Sequence, residues 1–410
     1  MKLNVFFGND KAGVLESTEN RGVIFVYDEN YLMNKNSVPL SVSLPLQSDE
    51  FSQSQCLPFF SGLLPEEDFL RKIAGFLHIA ENSTLKLLEA LGGECAGLIS
   101  ILSEDDSHFA ETSYDLDSTN YELLSADKLS YFIEKMDTRP LIKADNNVRL
   151  SLAGSQEKIA LAKINGEWYL PLKGAPSTHI LKPTRTGNLS SLAQNEYICM
   201  KLAKSFALPV PDVDLLNIAG KDVFVAERYD RIKETSTIQR LHQEDFCQAL
   251  GIMNTSKYQN DGGPGITDIF NTILKVCTVP ALESYKFLRY VIFNYLIGNC
   301  DSHGKNYSLL YDKNHIGLSP LYDVVSTTVY SGLTEKLSMK IGRHYDIQNV
   351  TREDFSLLAE SLNIKISVLH KIFDDFGKNY LKAFDELRED EKISKDILNS
   401  IFEVVKSRLW

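Results

Sequence analysis

Asn299-Cys300-Asp301-Ser302-His303-Gly304-Lys305-Asn306 is the stretch on which the fold of this chain turns. An apolar run, Phe287–Ile297, reads as a helix before it, and Tyr307–Tyr311 reads as a short strand after it. An Asp and an Asn five apart on a tight loop can do two jobs at once. The carboxylate can accept the proton of an attacking alcohol while the amide oxygen ligates a divalent cation. This is the Asp-x4-Asn spacing of a kinase catalytic loop. The same residues also suit a plain polar turn between helix and strand, because Asp, Gly and Asn favour turns.

The neighbouring segments sharpen the choice. Downstream, Leu318-Ser319-Pro320-Leu321-Tyr322-Asp323-Val324 supplies a second carboxylate. A phosphoryl-transfer enzyme needs such an Asp to hold Mg²⁺ against nucleotide phosphates, with water and phosphate completing the octahedron. By itself it is a surface Asp after a proline turn. Upstream, Ser151-Leu152-Ala153-Gly154-Ser155-Gln156-Glu157-Lys158 is small enough in side chain for backbone N–H groups to approach phosphates. It matches neither common phosphate-loop pattern, so a plain loop entering a strand stays open. Lys182 ends an apolar strand and could pair with α- and β-phosphates, with Glu196 on the next helix to orient it. A solvated Lys and a helix-surface Glu is the other reading. Val223–Tyr229 is a buried strand running out to polar residues, as at a hinge where adenine bonds to backbone. It is the order along the chain that points to phosphoryl transfer: small-residue loop, Lys182, Glu196, hinge strand, Asp301 and Asn306, then Asp323.

The whole chain fits that expectation. It has 410 residues, 43% hydrophobic and 24% charged, the mix of an ordinary globular protein. That length exceeds what one core usually holds, so at least two domains are expected. The net charge of -12 argues against nucleic-acid binding across the whole surface. Six cysteines, at 56, 95, 199, 247, 277 and 300, show no Cys-x-x-Cys spacing and read as buried free thiols in a reducing cytosol. The N-terminal stretch lacks the apolar core of a signal peptide. Tyr290–Ile297, interrupted by Asn294, is far short of the ~20 residues of a membrane span. A cytoplasmic protein is expected.

Alternation over Leu3–Phe7 and Gly22–Tyr27 predicts a small antiparallel meander. A helix is expected to open at Pro65, and another to run from Asn82-Ser83 to Gly92-Gly93. The acidic, aperiodic Ser103–Asn120 reads as a linker, and Ser125 as the cap of a helix through Lys135. Strands are predicted at Lys158–Ile164, Trp168–Leu172, His179–Lys182 and Val223–Glu227, with a helix at Leu192–Phe206. Helices dominate from 240 onward, broken by the island Gly262-Gly263-Pro264-Gly265, which reads as a rigid turn. The expected fold is α+β and two-lobed, protein-kinase-like, with a β-rich N-terminal half and a mostly helical C-terminal half. Its parts are 1–105, a linker and helix over 106–145, an ATP-binding region over 146–230, and a helical lobe over 231–410.

These motifs are specific enough to name a family. The chain resembles the HipA-type serine/threonine kinases, the toxin halves of bacterial HipA–HipB toxin–antitoxin pairs. Phe60-Ser61-Gly62-Leu63-Leu64-Pro65-Glu66, the 151–158 loop, Thr178–Lys182, Asn195-Glu196-Tyr197 and Glu227–Arg231 carry the likeness, with Gln243-Glu244-Asp245, 257–265, Gly298–Asn306 and Pro320–Asp323. The resemblance implies that Ala153, Gly154, Ser155, Gln156, Glu157 and Lys158 cover the ATP phosphates and that Lys182 contacts them. It implies that the hinge at Glu227 and Tyr229 holds adenine, that Asp301 is the base, and that Asn306 and Asp323 hold Mg²⁺. It makes Ser151 the autophosphorylated serine, whose charge would repel a phosphate-binding loop. Ser155 is a second candidate.

Two positions depart from ordinary protein kinases. His303 stands where most carry Lys, and Lys305 could supply the charge near the γ-phosphate instead. Tyr-Asp-Val replaces Asp-Phe-Gly at 322–324. The resemblance further implies a protein substrate among the aminoacyl-tRNA synthetases, glutamyl-tRNA synthetase being the best-known type. It implies a small helix-turn-helix antitoxin, HipB-like, that carries the complex to DNA, and no membrane. Two other readings remain at this point: a small-molecule kinase on a related fold, and a catalytically weak corepressor of the antitoxin. Against the second, Lys182, Asp301, Asn306 and Asp323 are all present.

Overall fold

The apolar alternation at the start of the chain produces the meander it predicts. Lys2–Phe7, Asp10–Thr18 and Gly22–Tyr27 pair antiparallel in sequence order, and Ile99–Leu102 returns to the free edge of the first strand. The result is a four-stranded sheet. Helices Gln53–Ser61, Glu67–Leu77 and Thr84–Leu91 share its core, which includes Val5, Phe25, Phe59, Phe60, Ile73 and Leu88. Truncating a fully buried Phe to Ala in such a core costs about 3–5 kcal/mol. The computed structural model describes residues 1–18, 22–104, 113–115, 120–136, 153–184, 187–234 and 237–409.

Two expectations about this region need correction. The helix predicted to open at Pro65 opens two residues later, with Glu66 at the cap. Pro65 is held instead in a parallel bridge to Gly154, and tertiary pairing overrides its preference for a first helical turn. The acidic stretch read as a linker contributes a strand: Ser113–Asp115 pairs antiparallel with Thr237–Gln239. A three-residue strand leaves too little periodicity to read, yet its backbone groups still find partners. Ser125 behaves as predicted, accepting from the backbone N–H of Lys128 to cap Ala126–Lys135.

The chain divides into two compact units. The first holds Met1–Lys182, Glu227–Thr255 and Leu310–Asp312; the second holds Pro183–Ala226, Ser256–Leu309 and Lys313–Trp410. Besides the meander, the first unit carries the antiparallel strands Tyr121–Leu123, Glu167–Pro171, Ile159–Ile164 and His179–Pro183, paired in that order. The second carries the hairpin Val213–Ile218 and Lys221–Glu227 beside helix Leu192–Ser205. It then runs through helices Ile266–Val276, Pro280–Leu296, Arg352–Ser361, Ile366–Arg388 and Lys395–Arg408. Phe206, Phe293 and Phe376 meet edge to face or tilted in its core, at 4.9–6.2 Å between centroids. The hairpin Lys336–Ile341 and His344–Asp346 interrupts the helical half where the sequence announced none.

All six cysteines are free and buried. Burial pushes the thiols of Cys56, Cys95 and Cys277 up to about 12 and that of Cys300 to about 11. Among the described residues no helix is long and apolar enough to cross a membrane.

Candidate active site

In the second unit, helix Pro280–Leu296 ends and the chain turns through 298–307 before entering strand Ser308–Asp312. Asp301 is exposed while residues 302–309 are buried, so the loop presents one carboxylate from a packed base. A ladder of amides builds that base. Asn294 Oδ1 accepts from Asn299 Nδ2 at 2.8 Å, and Asn299 Oδ1 accepts from the Asp301 N–H at 3.0 Å. The Asp301 carbonyl accepts from His303 N and from Asn306 Nδ2, both at 3.0 Å. Ser302 Oγ and Tyr307 Oη lie 2.5 Å apart beneath the loop. Asp301 and Asn306 are therefore locked into one element, as their spacing predicts.

The Asn306 bond has a chemical consequence. Its amide nitrogen is used on the Asp301 carbonyl, which turns its oxygen into the end suited to a cation. Asp323 is tied to the same loop through its neighbour: Tyr322 Oη donates to the Lys305 carbonyl at 2.7 Å and lies 2.7 Å from Ser308 Oγ. Asp323 itself has φ 56°, a left-handed conformation uncommon outside glycine but tolerated by Asp. An Asn amide and an Asp carboxylate are hard oxygen donors, and they fit Mg²⁺ completed by water and phosphate. Among the described residues no three His, Cys, Asp or Glu side chains form a metal cage.

In the first unit, Ala153–Lys158 is half-buried and anchored at both ends. Gly154 bridges to Pro65, and its carbonyl accepts from the Glu66 N–H at 3.2 Å. Lys72 forms an ion pair with Glu157. Lys158 Nζ donates back to the Ala153 carbonyl at 2.7 Å, closing the loop on itself. Gly154 has φ 105°, a backbone conformation that side-chain-bearing residues rarely adopt. Lys182 is buried at the end of its strand in this unit. Glu196 is buried on helix Leu192–Ser205 in the other. Ser151 lies outside the described residues.

At the predicted hinge, Glu227 accepts from Lys233 Nζ at 2.6 Å, and the Tyr229 hydroxyl bonds to Gln243. The Arg228 N–H donates to the Thr178 carbonyl at 2.8 Å. Behind them is a buried ion cluster that the sequence did not announce. Glu94 accepts from Arg231, Arg228 and the Ser177 N–H, and Asp230 accepts from Arg228 in a two-pronged contact. Burial alone would raise the Glu94 carboxyl, but Arg228, Arg231 and Arg240 outweigh it and hold it low.

Residues 3–102 match the HipA N-terminal domain, and residues 150–384 match the HipA-like C-terminal domain. The chain belongs to the HipA family. It is 34% identical to the kinase-named protein Y4mE of Sinorhizobium fredii, over 95% of this chain and 92% of that one. It is 30% identical to the serine/threonine-protein kinase toxin HipA of Shewanella oneidensis, over 82% of this chain and 77% of that one. The structure of Shewanella oneidensis HipA, solved with HipB and its operator DNA, matches with a TM-score of 0.82 at 24% identity. That match covers 98% of this chain and 96% of that one. The protein is thus a kinase of the HipA toxin family with the mixed α and β fold of HipA. Membership among kinases implies ATP as the phosphoryl donor, and kinases typically use it with a metal ion. The HipA motifs at 60–66 and 257–265 also gain a structural place: the first docks the 153–158 loop and the second packs against Asp301. Sequence reading did not single out Lys72, Glu94, Tyr258 or Asn299, because each acts through a partner distant in the chain or on another element.

Proposed function

We propose that this HipA-family protein is an ATP- and Mg²⁺-dependent serine/threonine kinase that arrests growth by phosphorylating a translation component, an aminoacyl-tRNA synthetase of the glutamyl type. The observation that supports it most is the loop locking exposed Asp301 and cation-suited Asn306 together. In this reading residues 146–230 bind ATP and 231–410 carry the chemistry. Asp301 takes the proton of the acceptor hydroxyl. Asn306 and Asp323 would hold Mg²⁺, which when bound would supply positive charge against the phosphates. Lys182, oriented by Glu196, pairs with phosphate oxygens, and Lys305 and His303 serve the γ-phosphate. The backbone of Ala153–Lys158, including Ser155 and Gln156, covers the phosphates, and the hinge at Glu227 and Tyr229 takes adenine. The oxygen–phosphorus bond to the acceptor forms as the bond to the β–γ bridging oxygen breaks, and ADP leaves.

Ser151 is the proposed self-modified residue, and a HipB-like helix-turn-helix antitoxin the proposed partner. The relative from Shewanella oneidensis was solved with HipB and operator DNA, which supports that partner. Net charge of -12 fits a protein that meets DNA through a basic partner, in the cytoplasm.

The test is incubation with γ-labelled ATP and Mg²⁺, wild type beside Asp301→Ala. Label mapped to Ser151 in the wild type and lost in the variant is the expected result. ATP binding without transfer, to itself or to protein from a bacterial lysate, would replace the kinase reading with a corepressor.

A further inference from the structure

The glycine-rich island after Lys257 has no part in the chemistry above. Its geometry is nevertheless tightly specified. A Cβ on Gly263 would meet the Ser256 carbonyl at 2.4 Å and the Lys257 carbonyl at 2.8 Å, so no other residue fits. Gly262 has φ 91°. The N–H groups of Gly263 and Asp261 both donate to the Tyr258 carbonyl, at 2.9 Å each. What this turn fixes, then, is the main chain of Tyr258.

One strand aligns that turn with the catalytic loop. On Lys336–Ile341, the Lys340 N–H donates to Gln259 Oε1 at 2.8 Å. Two residues earlier, Ser338 donates its N–H and its hydroxyl to the Cys300 carbonyl, at 3.0 and 2.7 Å. The side chain of Tyr258 is oriented as well. Its hydroxyl donates to Asp301 Oδ1 at 2.9 Å. Its ring meets His303 edge to face at 5.3 Å, and the Lys257 ammonium sits 5.5 Å from the ring centre.

We propose that Tyr258 is a positioning residue for phosphoryl transfer, its hydroxyl fixing the Asp301 carboxylate in the rotamer that receives the acceptor hydroxyl. This rests on Asp301 being the base. A base acts only within about 3 Å of the proton it takes, so the rotamer of its carboxylate matters. The Tyr258 bond holds Oδ1 and directs Oδ2 to the acceptor. The acceptor proton passes to Oδ2, and Tyr258 keeps its own. The rigid glycine turn delivers the hydroxyl, a role separate from phosphate binding.

Tyr258→Phe removes the hydroxyl and keeps the ring against His303. It is expected to lower kcat about tenfold, the worth of one hydrogen bond to a charged group. The KM for ATP and the melting temperature are expected to stay at wild-type values. Gly263→Ala, which moves the turn and keeps the hydroxyl, is expected to lower kcat in the same way. A Tyr258→Phe protein with kcat within about twofold of wild type, beside an inactive Asp301→Ala protein, overturns this inference alone. So does a tenfold rise in the KM for ATP at unchanged kcat. An Asp301→Ala protein of wild-type activity overturns the base assignment and this inference with it.

Discussion

Glu244 is a carboxyl group in a place that suits its protonated form. It is buried in the first unit, where the Val42 N–H donates to it at 3.0 Å, Tyr311 Oη at 2.5 Å, and Ser41 Oγ as well. Burial pushes its pKa from about 4.5 up to about 7 despite those donors, and Asp245 adds to the rise. The folded chain thus keeps a proton that the unfolded chain has lost between those two values. Its stability contribution is full below about 4.5 and is lost as pH rises through about 7. Two residues earlier His242 works in the opposite sense. Burial lowers it to about 4, so its cost appears as pH falls below 6.5. Glu244→Gln is expected to raise the melting temperature at pH 8 by the equivalent of about 2–3 kcal/mol and to leave it unchanged at pH 4.5. Thermal scans at the two pH values decide this; an equal gain at both would show that the carboxyl's titration is not the cause.

At the scale of elements, the phosphate-loop candidate is held from outside by the Pro65–Glu66 segment and the Lys72–Glu157 pair. A partly exposed pair of this kind is worth about 1 kcal/mol. Lys72→Glu is therefore expected to raise the KM for ATP up to about fivefold. Adding Glu157→Lys restores it, while inhibition by adenosine, which has no phosphates, is unchanged throughout. Steady-state kinetics with both ligands would refute this if adenosine weakened in parallel. The element scale is also where the sequence was most readable. Ser125 and Gly92 mark helix ends because capping is local chemistry. Asp301 and Asn306 were legible because a single loop carries both. Pro65 and Ser113–Asp115 were misread because their partners, Gly154 and Thr237–Gln239, lie some 90 and 120 residues away and leave no local trace. Tyr258 was missed for the same reason, since a tyrosine gains meaning only once the fold brings it to Asp301.

At the scale of the molecule, the boundary between the two family domains is not a physical boundary. Glu94, from the N-terminal domain, sits among Arg228, Arg231 and Ser177 of the C-terminal one. Arg240 reaches the other way, donating to the carbonyls of Gly97, Cys95 and Ile99. Three guanidiniums share this buried space with the carboxylates of Glu94 and Asp230. Removing one carboxylate leaves buried positive charge uncompensated, which costs about 3–5 kcal/mol. Glu94→Gln is expected to lower the urea midpoint by that equivalent, and a loss under about 1 kcal/mol would refute it. The first 100 residues are thus part of what holds the Arg228–Arg231 segment in place.

The six thiols have a practical side. Each is buried, and those of Cys56, Cys95, Cys277 and Cys300 are held well above neutral pH. Thiolate is the species that reacts with maleimide dyes. The natural chain therefore serves as its own silent background for labelling. A single cysteine placed at an exposed position such as Met33 or Leu381 takes a fluorophore without any native residue first being removed.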